Sequence, residues 1–158
     1  MPFVKVMIHF IWSTKNRHPL ISKELKPNLL SHIKQNSIKK EIFIDCLNCV
    51  EDHIHLLISL GTSQTIDKIA MLIKGESSFW VTHEKLIPKK FEWQDEYIAL
   101  SVSKSAIPKV RAYIANEEEH HNSKLLCRSM KRFWLVMISL EIILAKANSV
   151  HHCFLSMA

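Results

Sequence analysis

His53-Ile54-His55 is the first set of residues in this chain whose types and spacing suggest chemistry. On a strand, alternate side chains share a face, so both imidazoles would project the same way while Ile54 and Leu56 turn to the other side. Two nitrogen donors so placed suit one divalent cation, and they equally suit two ordinary histidines on a sheet. Just upstream, Cys46 and Cys49 offer a second pair of ligand type. Strand geometry would send them to opposite faces, and no glycine supplies the tight turn that joins paired zinc cysteines, so packed thiols are the simpler reading. A third set is Tyr113, Glu117 and His120, spaced four and seven residues apart from the tyrosine and near one face of a helix. There Tyr113 could act as nucleophile with Glu117 as a third metal ligand. The alternative is an amphipathic helix with its tyrosine at the core edge and Glu117, Glu118 and Glu119 in solvent.

The elements that must position these residues follow from hydrophobic period. Residues 3–12 (FVKVMIHFIW) read as a buried strand that ends at Ser13-Thr14-Lys15-Asn16-Arg17. From Ser22 to about Ile38, Leu25, Leu29, Leu30 and Ile33 recur at helical spacing, with Ser22 as N-cap and Pro27 near the first turn. Residues 42–50 and 53–60 read as two strands separated by Glu51-Asp52, an antiparallel hairpin. A helical period resumes over 63–83 through Ile66, Ile69 and Ile73 and extends to Phe79 and Trp80, with Gly75 a weak point in its middle. Residues 91–103 should include a fourth strand, and Ser105–Asn122 a further helix capped by Ser105, with Pro108 in its first turns. The order β-α-β-β-α-β-α predicts an α+β, ferredoxin-like fold: an antiparallel sheet with helices on one face, plus an additional C-terminal helix carrying the tyrosine. Such a fold hosts many functions, so the sites must decide.

A length of 158 residues and 47% hydrophobic content fit one compact core. The first residues lack the pattern of a signal peptide, no apolar run is long enough to span a membrane, and four cysteines are read as reduced, so the cytoplasm is the expected location. The net charge of +6 is uneven. Residues 1–122 carry 16 basic against 14 acidic side chains, a net +2, and residues 123–158 carry 5 against 1, a net +4. Charge alone is therefore weak support for a nucleic-acid partner.

Several segments, in their order and spacing, resemble the single-tyrosine insertion-sequence transposases of the HUH endonuclease superfamily and their REP-associated relatives. They are IHFIWSTKNRHPLI near the start, VEDHIHLL at 50–57, IKGESS at 73–78, FEWQDEYIALSVS at 91–103 and VRAYIANEEEHH at 110–121. The resemblance runs from about residue 3 to 122, and implies that 1–122 is a catalytic domain working as a homodimer. It gives His53 and His55 the role of metal ligands, Tyr113 that of nucleophile, and Glu117 the third ligand position, where the family usually has glutamine. A carboxylate oxygen suits Mg²⁺ or Mn²⁺ at least as well as an amide oxygen. The implied reaction is cleavage and rejoining of single-stranded DNA beside hairpins, through a 5′-phosphotyrosine and a free 3′-hydroxyl. Lys15, Arg17 and Lys74 are candidates for phosphate contacts, or else ordinary surface cations.

Two alternatives stand beside this reading. One is a hairpin DNA-binding protein without turnover, from a decayed or domesticated element. The other is a ferredoxin-like RNA-binding module, which should carry stacking aromatics on its central strands. Phe43 is the only Phe, Tyr or Trp between 42 and 60, which argues against it. The tail, 123–158, does not continue the resemblance. Permitted codons for residues 125–139, shifted by one base, read TFVQKYEEILVSYDI, which resembles the family's missing segment and suggests a frame-shifted tail; an amphipathic helix is the simpler account.

Overall fold

The computed structural model describes residues 4–116, all within the first compact unit of the chain, Met1–Glu117. Their order is β1 (Val6–Ser13), α1 (Leu25–Lys39), β2 (Phe43–Cys49), β3 (His53–Leu60), α2 (Ile66–His83), β4 (Ile98–Val102) and α3 (Ile107–Ala115), with a short 3-10 turn at Lys15–Arg17. The four strands form one sheet in the order β2-β3-β1-β4, and every neighbouring pair is antiparallel. This is the expected ferredoxin-like α+β arrangement.

β1 and β3 read as near-continuous apolar runs because both are central and covered on both faces. On one face, Ile8, Phe10 and Trp12 of β1 and Ile54, Leu56 and Ile58 of β3 pack with Leu29 and Ile33 of α1 and Ile69 and Ile73 of α2. On the other, Met7 and Leu57 pack with Ile107 and Ile114 of α3. The extra helix thus lies across the sheet from the first two. Among the described residues no helix is long and apolar enough to cross a membrane.

A bulge in β2 changes the faces of its residues. Ile44 pairs with Ile58 but Cys46 pairs with Leu57, which leaves Asp45 as the additional residue. Beyond it, Leu47 and Cys49 join the core under α1 and α2, while Cys46 turns toward α3. The two cysteines do point apart.

Helix ends differ from expectation in instructive ways. α1 begins at Leu25, yet Ser22 Oγ accepts from Leu25 N at 3.2 Å, so the expected cap operates across an intervening turn. Thr65 caps α2 by accepting from Lys68 N. Ser105 does not cap α3: Ala106 N donates to Ser103 O in a turn, Ala106 is the N-cap, and Pro108 sits in the first turn, where its missing N–H costs nothing. α3 is closed by Asn116; the remainder of the expected helix, to Asn122, lies outside the described residues. Phe79 is 68% exposed rather than part of the core, because α2 buries Ile69, Ala70, Ile73, Ser77 and Val81 and turns Phe79 outward.

The fourth strand is short. Residues 91–97 form an irregular segment instead, since Phe91 and Trp93 tuck under α2. Ser78 Oγ donates to Phe91 O at 2.8 Å, and Trp93 Nε1 donates to Ser77 Oγ at 2.9 Å.

Candidate active site

β3 enters the site directly from the hairpin turn at residues 50–52, and that turn is fixed from both sides. Val50 N donates to His53 O, Thr14 N to Asp52 O at 2.8 Å, and Ile21 N to Glu51 O at 3.0 Å. His53 and His55 then project from the same face of β3, with ring centroids 5.1 Å apart. His55 is fully enclosed, and His53 keeps a small exposed surface at the strand's start.

Each histidine is held at Nδ1. His53 Nδ1 lies 2.6 Å from Asp52 Oδ1, and Asp52 Oδ2 accepts from Arg17 Nε at 3.0 Å and from Arg17 Nη2 at 2.9 Å. Burial pushes the Asp52 carboxyl upward, but His53 and Arg17 together outweigh it and hold the group below its ordinary range. Arg17 reaches Asp52 from a backbone at φ 56, and the preceding Asn16 is at φ 54, a left-handed conformation uncommon for arginine. His55 Nδ1 lies 3.0 Å from Nε2 of His9, a buried histidine on β1.

Tyr113 comes from the helix that covers this face. Its ring is edge-on to His55, with centroids 5.4 Å apart, and to His9 at 6.4 Å. Three contacts fix α3 there. Ile107 and Ile114 fill the small apolar cluster. Arg111 donates twice to Asp45 of the bulge, from Nε at 2.7 Å and from Nη2 at 2.6 Å. Asn48 Nδ2 donates to Ile114 O at 2.8 Å, binding a carbonyl in the last turn of the helix. The bulge therefore sends both Asp45 and Asn48 to the helix.

Of the residues expected at the site, His53, His55 and Tyr113 are thus brought together. Glu117 and His120 lie outside the described residues, as does the tail from 123. Among the described residues no third His, Cys, Asp or Glu joins the two histidines in a metal-binding group. The donor set still fits a divalent cation: with both Nδ1 atoms engaged, Nε2 is the ligand-type nitrogen of each ring. Cys46 is not part of it; burial raises its thiol above the ordinary range, and its Sγ faces Arg111 O.

The three expected phosphate contacts all have internal partners. Lys15 Nζ is 3.2 Å from Asp95 Oδ2, Lys74 Nζ donates to Asp95 O at 2.6 Å, and Arg17 binds Asp52 while remaining 53% exposed. Burial lowers the Lys74 pKa, with Asp95 and Glu96 opposing. His9, Asp52, Asn48, Asp45 and Arg111 escaped the reading of the sequence. His9 carried a signal, as an ionisable residue inside a run that is otherwise apolar from Val6 to Trp12, and so did Asp45 within Ile42–Leu47.

Comparison with known proteins agrees with this architecture. Residues 3–117 match the family model "Transposase IS200 like". The chain is 25% identical over 116 residues to the ISDra2 transposase TnpA of Deinococcus radiodurans, spanning 70% of this chain and 83% of that protein. Its fold resembles a crystal structure from Deinococcus radiodurans R1 assigned as a transposase, with a TM-score of 0.58, 24% identity, and coverage of 73% and 92% of the two chains. It also resembles a REP-associated tyrosine transposase solved with a REP hairpin, with a TM-score of 0.57, 17% identity, and coverage of 77% and 72%. Since the family model accounts for most of the chain, from the first strand to the end of the tyrosine helix, this protein belongs to the IS200-like transposases.

Proposed function

We propose that this transposase cuts and rejoins single-stranded DNA at hairpin-flanked ends, with Tyr113 as nucleophile and His53, His55 and Glu117 as ligands of Mg²⁺ or Mn²⁺. The observation that carries the reading is the placement of Tyr113 edge-on to His55, on a helix packed over the histidine-bearing face. A divalent cation at the histidines would supply polarisation of a non-bridging phosphate oxygen, where negative charge builds during attack.

The residues of the chain do the rest. The Tyr113 oxygen forms a bond to phosphorus while the bond from phosphorus to the 3′ oxygen breaks. The phenolic proton is lost and the leaving oxygen gains one, giving a 5′-phosphotyrosine and a free 3′-hydroxyl. No bond energy is lost to hydrolysis, so the step is reversible and strands can be rejoined without ATP. Asp52 and Arg17 keep the His53 ring oriented, and Asp45, Asn48 and Arg111 keep Tyr113 over the site. Hairpin DNA is the ligand class favoured by the relative solved with a REP hairpin. Arg17, with Lys15 on the same turn and Lys74 of α2, which meets Asp95 as Lys15 does, would contact its backbone, and two chains would act together as a homodimer.

The test is purified protein with Mn²⁺ or Mg²⁺ and end-labelled hairpin DNA from the flanks of its own gene, resolved on a denaturing gel. A covalent adduct that disappears with EDTA and with Tyr113→Phe is expected. Hairpin binding without an adduct would overturn the catalytic reading in favour of a binding-only protein.

A further inference from the structure

We propose that His9 is a positioning residue for the metal site: its Nε2 accepts the proton of His55 Nδ1–H and so fixes His55 with a lone pair on Nε2 for a divalent cation. This rests on the reading of His55 as a ligand.

His9 and His55 lie on neighbouring central strands, where His9 pairs with Leu57 and His55 with Ile11. They are therefore diagonal neighbours on one face, close enough for side chains to meet. Their nitrogens are 3.0 Å apart, with His9 6% and His55 2% exposed. An imidazole in the middle of an apolar strand costs free energy unless it is hydrogen-bonded, so packing alone would favour a hydrocarbon at position 9. A neutral imidazole carries one proton, and the hydrogen bond of one nitrogen decides the state of the other. A proton on His55 Nδ1 frees Nε2 to act as a ligand; a proton on Nε2 excludes it.

The same construction recurs on the other histidine. His53 Nδ1 is held by Asp52, so both candidate ligands are gripped at the same ring atom and would present the same one. The two holders differ in charge. Asp52 brings an anion, itself balanced by Arg17, whereas a neutral His9 orients His55 without adding charge beside the scissile phosphate. An anion buried in that position would repel the DNA backbone; an imidazole does not.

The test uses the full chain and two readouts. Long-range ¹⁵N–¹H correlation spectra of the metal-free protein report which nitrogen of His55 carries the proton, and Mn²⁺ titration reports affinity. The wild-type chain should show His55 protonated on Nδ1. His9→Leu should lose that preference and weaken Mn²⁺ binding about 10–100-fold, as loss of an outer partner of a metal-bound histidine generally does. His9→Gln, whose amide oxygen can accept the same proton, should restore both. His55 protonated on Nε2 in the wild-type chain overturns the role of His9 without recourse to any variant, and so does a His9→Gln chain as impaired as His9→Leu. A wild-type chain that binds no Mn²⁺ overturns instead the reading of His55 as a ligand, so the two failures are distinguishable.

Discussion

Replacing Ser77 by alanine tests how the segment beside the site is held. Ser77 is completely buried on α2, and its Oγ accepts from Trp93 Nε1 at 2.9 Å while donating to Ile73 O at 2.6 Å. In Ser77→Ala the indole N–H stays enclosed with its partner gone. The Ile73 carbonyl already takes part in the helix and loses little. An orphaned neutral donor costs about 1–3 kcal/mol, from which the better helix propensity of alanine returns about 0.5 kcal/mol. A net loss of about 1–2 kcal/mol follows, corresponding to a fall of several degrees in Tm for a domain of this size. Urea unfolding of wild type, Ser77→Ala, Trp93→Phe and the double variant would measure it. In the Trp93→Phe background no indole N–H remains, so Ser77→Ala should then cost less than about 0.5 kcal/mol. Equal costs in both backgrounds would refute the reasoning, because the loss could not come from the indole.

Gly75 lies inside α2 at negative φ, and an added Cβ there would meet nothing within 4 Å; Gly75→Ala should therefore raise stability by up to about 1 kcal/mol in the same unfolding assay. Arg17→Ala should lower the salt dependence of hairpin binding by somewhat under one unit of slope if it meets one phosphate, and an unchanged slope would remove it from the interface. Cys49, fully buried, should resist alkylation in the native chain until unfolding, and partly exposed Cys46 should react first, as peptide mapping would show. The coding DNA should contain a one-base shift near codon 124 that restores the family's segment; a gene without one would sink the frame-shift account of the tail.

Much of the fold was legible because its signals are periodic. The two central strands stand out as apolar runs, α1 and α2 as helical repeats, and the hairpin as two runs with a polar turn. The opposite faces of Cys46 and Cys49 followed from strand alternation, even though a bulge at Asp45 shifts the register one residue before them. What escaped depends on where distant segments meet. Phe79 lies off the four-residue stripe of Ile69, Ile73 and Val81, but its apolar type hides this, and the stripe position between Ile73 and Val81 is the polar Ser77, whose partner Trp93 comes from a later segment. Nor does composition reveal that His9 meets a residue 46 positions away, or that Asp45 and Asn48 would serve a helix more than 60 residues on. The pair of histidines and the tyrosine could be read; the side chains that orient them could not.

The unequal covering of the sheet implies an unequal resistance to opening. The face under α1 and α2 encloses most of the large buried side chains, whereas α3, nine residues long, is joined to its face among the described residues by Ile107, Ile114, the partly buried Val110 and Tyr113, and a few polar ties. A helix that short has little stability of its own. Its release would expose far less apolar surface than global unfolding, so amide hydrogens of α3 should exchange through local opening while those of β1 and β3 wait for the whole domain. In such an opening Tyr113 would part from the histidines while the sheet that holds them stayed closed.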